Sequence, residues 1–221
     1  MIGFALALTS CVLSNNKLKP VKPNSKFDAV LVFNNIEVIM TPGEKVSYEV
    51  SGDESAISRL EAGIEGNTLI FKADRLSASD KIHISLTAPI PESIEVFNNA
   101  SLAIEGVCDV DDINLRVWNN GRIRIDHNIT AKTMSVETFN SGSIVLGSVV
   151  ANQVRITAAN NSTVDISGHV GRLSKSVMND AVVNVTGLTA NNQRHASHDE
   201  DSKDTVIVYS DDINILERMF E

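Results

Sequence analysis

The middle of the chain repeats one short cassette five times. It reads Phe97-Asn98-Asn99, Trp118-Asn119-Asn120, Phe139-Asn140-Ser141, Ala159-Asn160-Asn161 and Met178-Asn179-Asp180, at steps of 21, 21, 20 and 19 residues. Each copy is followed by an apolar pair in one register: Leu102 and Ile104, Ile123 and Ile125, Ile144 and Leu146, Val164 and Ile166, Val183 and Val185. A second column precedes it: Ile94 and Val96, Leu115 and Val117, Val136 and Thr138, Ile156 and Ala158, Lys175 and Val177. A step near twenty residues, with alternating apolar and polar positions and Asn or small residues at the turns, marks a stacked array of β-coils. The expected fold is therefore all-β, a parallel β-helix (β-solenoid) of about 20-residue coils. At about 4.8 Å per coil, five coils make a rod of roughly 24 Å.

Composition agrees. A hydrophobic content of 43% rules out wholesale disorder, and an aromatic share of only 5% suits a core of stacked Val, Ile, Leu and Ala. The net charge of −9 excludes a nucleic-acid ligand, which needs a lysine and arginine face to displace counterions. No apolar run reaches the roughly 20 residues of a membrane helix.

Residues Met1 to Leu8 are apolar, and Leu8-Thr9-Ser10-Cys11 follows. This resembles the lipobox of bacterial lipoprotein signal peptides, where small residues fit the peptidase and the thiol is acylated. The match lacks a Lys/Arg n-region and its apolar run is short. Two readings stand: a signal peptide over 1–11 with Cys11 lipidated, or a cysteine of structural or incidental origin. The polar stretch that follows, with its lysines and prolines, reads as a flexible tether over 12–26.

Strand signals begin at Phe27. Val30, Val32, Ile36, Val38 and Met40 alternate, and Phe33-Asn34-Asn35 looks like an earlier copy of the cassette. Short alternating strands at 45–51, 68–72 and 81–87, and a brief helix-compatible segment at 55–63, make 27–92 a set of irregular coils with an antiparallel excursion. Pro89 and Pro91 mark the entry to the regular repeats, 93–190. Lys175 and His127 break the repeat pattern. Residues 191–221 divide into a polar, acidic loop through 204 and a C-terminal closing segment; a solenoid end needs such a cap because it exposes unpaired strand edges.

The asparagine column, Asn98, Asn119, Asn140, Asn160 and Asn179, reads as a structural ladder at the coil corner, since Asn tolerates left-handed backbone and its amides can stack. Phe97, Trp118 and Phe139 follow inward positions, so strict alternation turns them outward as a vertical aromatic strip. Such a strip binds a sugar or protein surface, unless the corner bends to bury the rings or another segment covers them. The acidic cluster Asp109, Asp111 and Asp112 lacks calcium-loop spacing, and Asp199, Glu200 and Asp201 beside His195 and His198 fall in a loop; both read as solvated. Asp126 and Asp165 lie two coils apart and out of register, and Cys108 has no neighbouring His in sequence. No catalytic constellation, cofactor fingerprint or metal motif emerges.

The repeats, the entry Phe27-x-x-Val30-x-Val32, and the turn Pro42-Gly43 after Ile36-x-Val38 resemble the DUF2807 family of auto-transporter adhesin head domains, over about residues 27–190. Gly121 and Gly142 keep one glycine of that family's Gly-Ser-Gly turns, while Ala100, Ser162 and Ala181 depart from it. The resemblance implies a right-handed parallel β-helix related in shape to pectin lyases, frequent lipoprotein signals and a role in cell adhesion. It supplies no catalytic residues. The expectation is a non-catalytic lipoprotein of the cell envelope, held to a membrane, the outer membrane by preference, only through its lipid. It would present a coil face to a glycan or protein partner. A carbohydrate-active enzyme on the same scaffold and a purely structural spacer are the alternatives.

Overall fold

The computed structural model describes residues 18–77 and 79–197, with the backbone alone for 192–197. The expected signal peptide with Cys11 and the expected closing segment lie outside the described residues. The elements are β1 (Ala29–Phe33), β2 (Ile36–Pro42), β3 (Ser47–Gly52), α1 (Glu54–Ile57), β4 (Leu60–Glu65), β5 (Thr68–Ala73), β6 (Ile82–Ala88), β7 (Ser93–Phe97), β8 (Ser101–Ile104), β9 (Cys108–Trp118), β10 (Arg122–Phe139), β11 (Ser143–Ala159), β12 (Thr163–Met178) and β13 (Val182–Ser197).

The chain is a parallel β-solenoid. From β7 onward every coil lies on the last in parallel register, with β7 on β9, β9 on β10, and then β11, β12 and β13 in turn. Matching branched side chains therefore meet in files. Met40 pairs with Ile104, Ile104 with Ile125, Ile125 with Leu146 and Leu146 with Ile166. All five are at most 2% exposed. Each such side chain removes enough apolar area from water to contribute about 1.5–3 kcal/mol.

The sequence pattern suggests short strands joined by turns. Instead β10 to β13 run 16 to 18 residues each. Only one corner per coil, the Asn cassette, interrupts the ladder. At the next, one coil passes its neighbour through a register shift, as between Ile125 and Asn128. His127, out of pattern in the sequence, sits in that shift and is exposed. The shift absorbs it without placing the imidazole in the core. Gly168 in the same corner has φ +126°, and a Cβ there would lie 2.0 Å from the Val149 carbonyl oxygen. Lys175, by contrast, stands in the inward file above Ile156 and is 7% exposed.

At the other end the order in space differs from the order in sequence. β1 lies between β5 and β7, and β2 between β6 and β8. The excursion after β2 thus supplies an extra coil, β5 and β6, beneath the first one. Its two outer strands are then covered antiparallel, β4 on β5 and β3 on β6. This closes the parallel edge that a bare solenoid would offer to other chains. The helix occupies only 54–57, and the rest of the helix-compatible segment forms β4, because Ala62 and Ile64 are drawn onto the core beside β5. Part of the expected tether is also docked. Lys19 exchanges backbone hydrogen bonds with Ile64 at 2.8 and 2.9 Å, Val46 N donates to Pro23 O, and Val21 packs on the core. Residues 191–197, expected to belong to a loop, instead continue β13, with 192–197 in register with β12. There the backbone ladder with the coil below outweighs a polar sequence.

Candidate functional site

The cassette builds the most distinctive surface of the molecule. Both central residues take positive φ: Asn98 53° and Asn99 61°, Asn119 52° and Asn120 61°, Asn140 52° and Ser141 61°. Two consecutive left-handed residues make a tight turn that Asn tolerates better than most side chains. The turn closes by a backbone bond from the residue after it to the ring residue before it, as Gly121 N to Trp118 O at 3.1 Å. Repetition of that turn stacks the first Asn of every coil. Asn98 Nδ2 donates to Asn34 Oδ1, Asn119 to Asn98 and Asn140 to Asn119, all at 3.0 Å; Asn160 donates to Asn140 at 2.9 Å and Asn179 to Asn160 at 2.8 Å. Asn34 caps the lower end on Ala73 O. A parallel second rung joins Asn120 to Asn99.

Immediately before the ladder, the rings pile up. Phe33, Phe97, Trp118 and Phe139 occupy one register column. Centroids are 4.7 Å apart for Phe33–Phe97 and for Phe97–Trp118, and 5.7 Å for Trp118–Phe139, with interplanar angles of 15°, 5° and 19°. Every ring is half-buried. Neither reading of the sequence included this arrangement: the ring faces are taken up by one another. What meets solvent is a stripe of ring edges, which carry the positive side of the aromatic quadrupole. Above Phe139 the column continues with Ala159 and Met178, so the aromatic part is four coils tall.

Two residues before the rings runs a row that the sequence reading missed. Glu95, Arg116 and Glu137 are in register, with Arg116 Nη1 3.5 Å from Glu95 and Nε 3.2 Å from Glu137. Their constant spacing from each ring was the available signal.

The other candidates disperse. Asp111 pairs with Lys132 at 2.9 Å, and Asp112 accepts from Thr133. Asp126 is held by Arg124 at 2.6 Å, two positions from the column of Asp165, which holds Arg124 itself. His195 lies on β13 in register with Lys175, and 198–201 are outside the described residues. No group of three or more metal-ligating side chains converges among the described residues. Cys108 is a free thiol in an inward column beside Ile129, and burial pushes its pKa up to about 11. A polar cleft opens where the 74–81 loop passes the corner, lined by Asn35, Glu37, His83 and Asn99, with His83 Nδ1 2.8 Å from Glu37. Its walls come from distant segments, so no local sequence pattern announces it.

Comparison with known proteins places this surface in context. No curated protein matches the chain. Among solved structures, one described as a putative adhesin from Parabacteroides merdae is similar with a TM-score of 0.74 at 13% identity, covering 83% of this chain and 78% of that one. Another described as a putative adhesin, from Parabacteroides distasonis, gives 0.74 at 11% identity over 80% and 76%. A third, described as a putative lipid binding protein from the same species, gives 0.72 at 14% over 78% and 75%. At these identities the likeness is one of fold. Residues 26–197 match the family described as "Putative auto-transporter adhesin, head GIN domain", and the chain belongs to that family, DUF2807.

Proposed function

We propose that this chain is a non-catalytic adhesin-type module of the cell envelope, whose contact surface is the sheet face bearing the aromatic column. The observation that carries the reading is the stack of Phe33, Phe97, Trp118 and Phe139, partly exposed and flanked by hydrogen-bonding files on both sides. With ring faces already in mutual contact, a ligand meets ring edges, the Glu95–Arg116–Glu137 row and the outer amide positions of the Asn ladder. That mixture suits a polar partner rich in hydroxyl or carbonyl groups, a glycan or a protein surface, better than one relying on flat stacking. Family membership supports an adhesive role, as do the neighbours described as adhesins.

The anchor belongs to the same proposal. Lipidation at Cys11 would fix the chain to a membrane, the outer membrane by preference, without a spanning helix. The docking of Lys19 against β4 brings the N-terminal segment out at the capped end of the solenoid. A lipid attached there would set the capped end toward the membrane and the later coils away from it. Among the described residues no helix is long and apolar enough to cross a membrane.

The test is a glycan array and a matrix-protein panel probed with wild type and with a Phe97→Ala/Trp118→Ala variant. Circular dichroism is used to check that the variant keeps its β-content. Loss of a wild-type signal in the folded variant is expected. Equal binding by both proteins removes the column from the contact surface. Intact mass of membrane-extracted protein reads the Cys11 acyl groups directly.

A further inference from the structure

Among the described residues the solenoid ends at β13, and the two halves of that last coil differ. In the coils below, the inward pairs Ile144/Leu146 and Val164/Ile166 are at most 1% exposed. In β13 their successors Val183 and Val185 are only partly buried, as are Leu188 and Ala190, and Val182 is 58% exposed. Over this stretch β13 pairs with β12 on one side, and no described strand lies on the other. The second half of β13 differs. Gln193, His195 and Ser197 take the register positions above Leu173, Lys175 and Val177, so the residues in register there are polar. Only the half formed by 182–190 presents apolar columns with nothing above them among the described residues.

We propose that residues 205–210, Thr-Val-Ile-Val-Tyr-Ser, cover that half as one more strand, stacked on the first part of β13 with alternate residues over Val183 and Val185. The length of chain fits. In the coil below, six residues lead from Val177 to Val183. Ser197 stands above Val177, and nine residues lead from it to Val206, so the polar run 198–204 makes a corner three residues longer than standard. The sequence fits as well. Positions 198–204 hold no apolar residue that could enter a file, whereas Thr205, Val206, Ile207 and Val208 are all β-branched. A second copy stacked end to end is the competing occupant.

Hydrogen–deuterium exchange on the full chain distinguishes them. Amides of 205–210 should be protected by about 100-fold or more at every protein concentration. A Val206→Asp/Val208→Asp variant should lower protection of 182–186 at least about tenfold while leaving the β1 and β7 amides unchanged. Exchange of 205–210 at unstructured-chain rates overturns the proposal. So does protection of 182–186 that rises with concentration, which points to a second copy, or protection that the variant leaves intact.

Discussion

The Asn ladder can be separated energetically from the backbone shape that hosts it. Asn140 has φ 52° and makes two ladder bonds, one to Asn119 at 3.0 Å and one from Asn160 at 2.9 Å. Asn161 has a similar φ of 58° and makes no side-chain hydrogen bond among the described residues, which makes it the matched control. Glycine at either site keeps the left-handed turn and costs about 0.5–1 kcal/mol through the freedom of the unfolded chain. Only at 140 does it also remove two exposed amide bonds, each contributing about 0.5 kcal/mol. Asn140→Gly should therefore be less stable than Asn161→Gly by about 1 kcal/mol. Asn140→Ala, which adds the left-handed penalty of about 1–2 kcal/mol, should be destabilised by about 2–3 kcal/mol in all. Urea unfolding followed through Trp118, the only tryptophan and one coil away, reads the difference. With a slope of about 2 kcal/mol/M, the midpoint of Asn140→Gly falls about 0.5 M below that of the control. Coincident midpoints for the two glycine variants would refute a stabilising ladder and leave asparagine there for its φ alone.

Two further outcomes follow from the core. Thr138 is fully buried in the Val96–Val117 file and its hydroxyl has no hydrogen-bond partner among the described residues. Thr138→Val should raise stability by about 1 kcal/mol, a melting shift of about 2–4 °C by calorimetry; an unchanged or lower melting temperature contradicts the assignment of an unpaired hydroxyl. The Cys108 thiol should resist alkylation at pH 8 until the protein unfolds. Because its folded pKa, about 11, lies above the ordinary value of 9.0, its contribution is complete below pH 9 and fades as the unfolded thiol ionises between 9 and 11. Over that window the wild type should lose about 2–3 kcal/mol relative to Cys108→Ala. Parallel pH profiles for the two proteins would show that the thiol is not shielded.

The regular coils were legible in the sequence because one spacing serves three purposes. The same step of about twenty residues aligns Ile104 with Ile125, Phe97 with Trp118 and Asn98 with Asn119. A file, a stack and a ladder therefore announce themselves together. Phe33-Asn34-Asn35 could be recognised 64 residues upstream for the same reason. What lay out of reach was the order in space. Nothing local to β5 or β6 says that they pass beneath β1 and β2 instead of above them, since either arrangement buries the same alternating residues. The docking of 18–26 was hidden as well, because it depends on backbone bonds such as Lys19 to Ile64, which composition does not encode. At the site, the shared register of the rings followed from the repeat. Their face-to-face contact did not, since it depends on side-chain torsions within the column.

The interleaving of β5, β1 and β7 also constrains how the molecule can be made and lengthened. Residues 29–42 leave the ribosome first, but one flank must await 68–88 and the other 93–104. Assembly cannot simply wind up from the start of the chain; it has to begin around a segment that is wedged between two later arrivals. Beyond Pro91 no such lock exists, and each lap needs only the one before it. Duplicating or deleting a single cassette should therefore be tolerated there, changing reach by about 4.8 Å a time. The same edit within 29–88 would unmake the foundation.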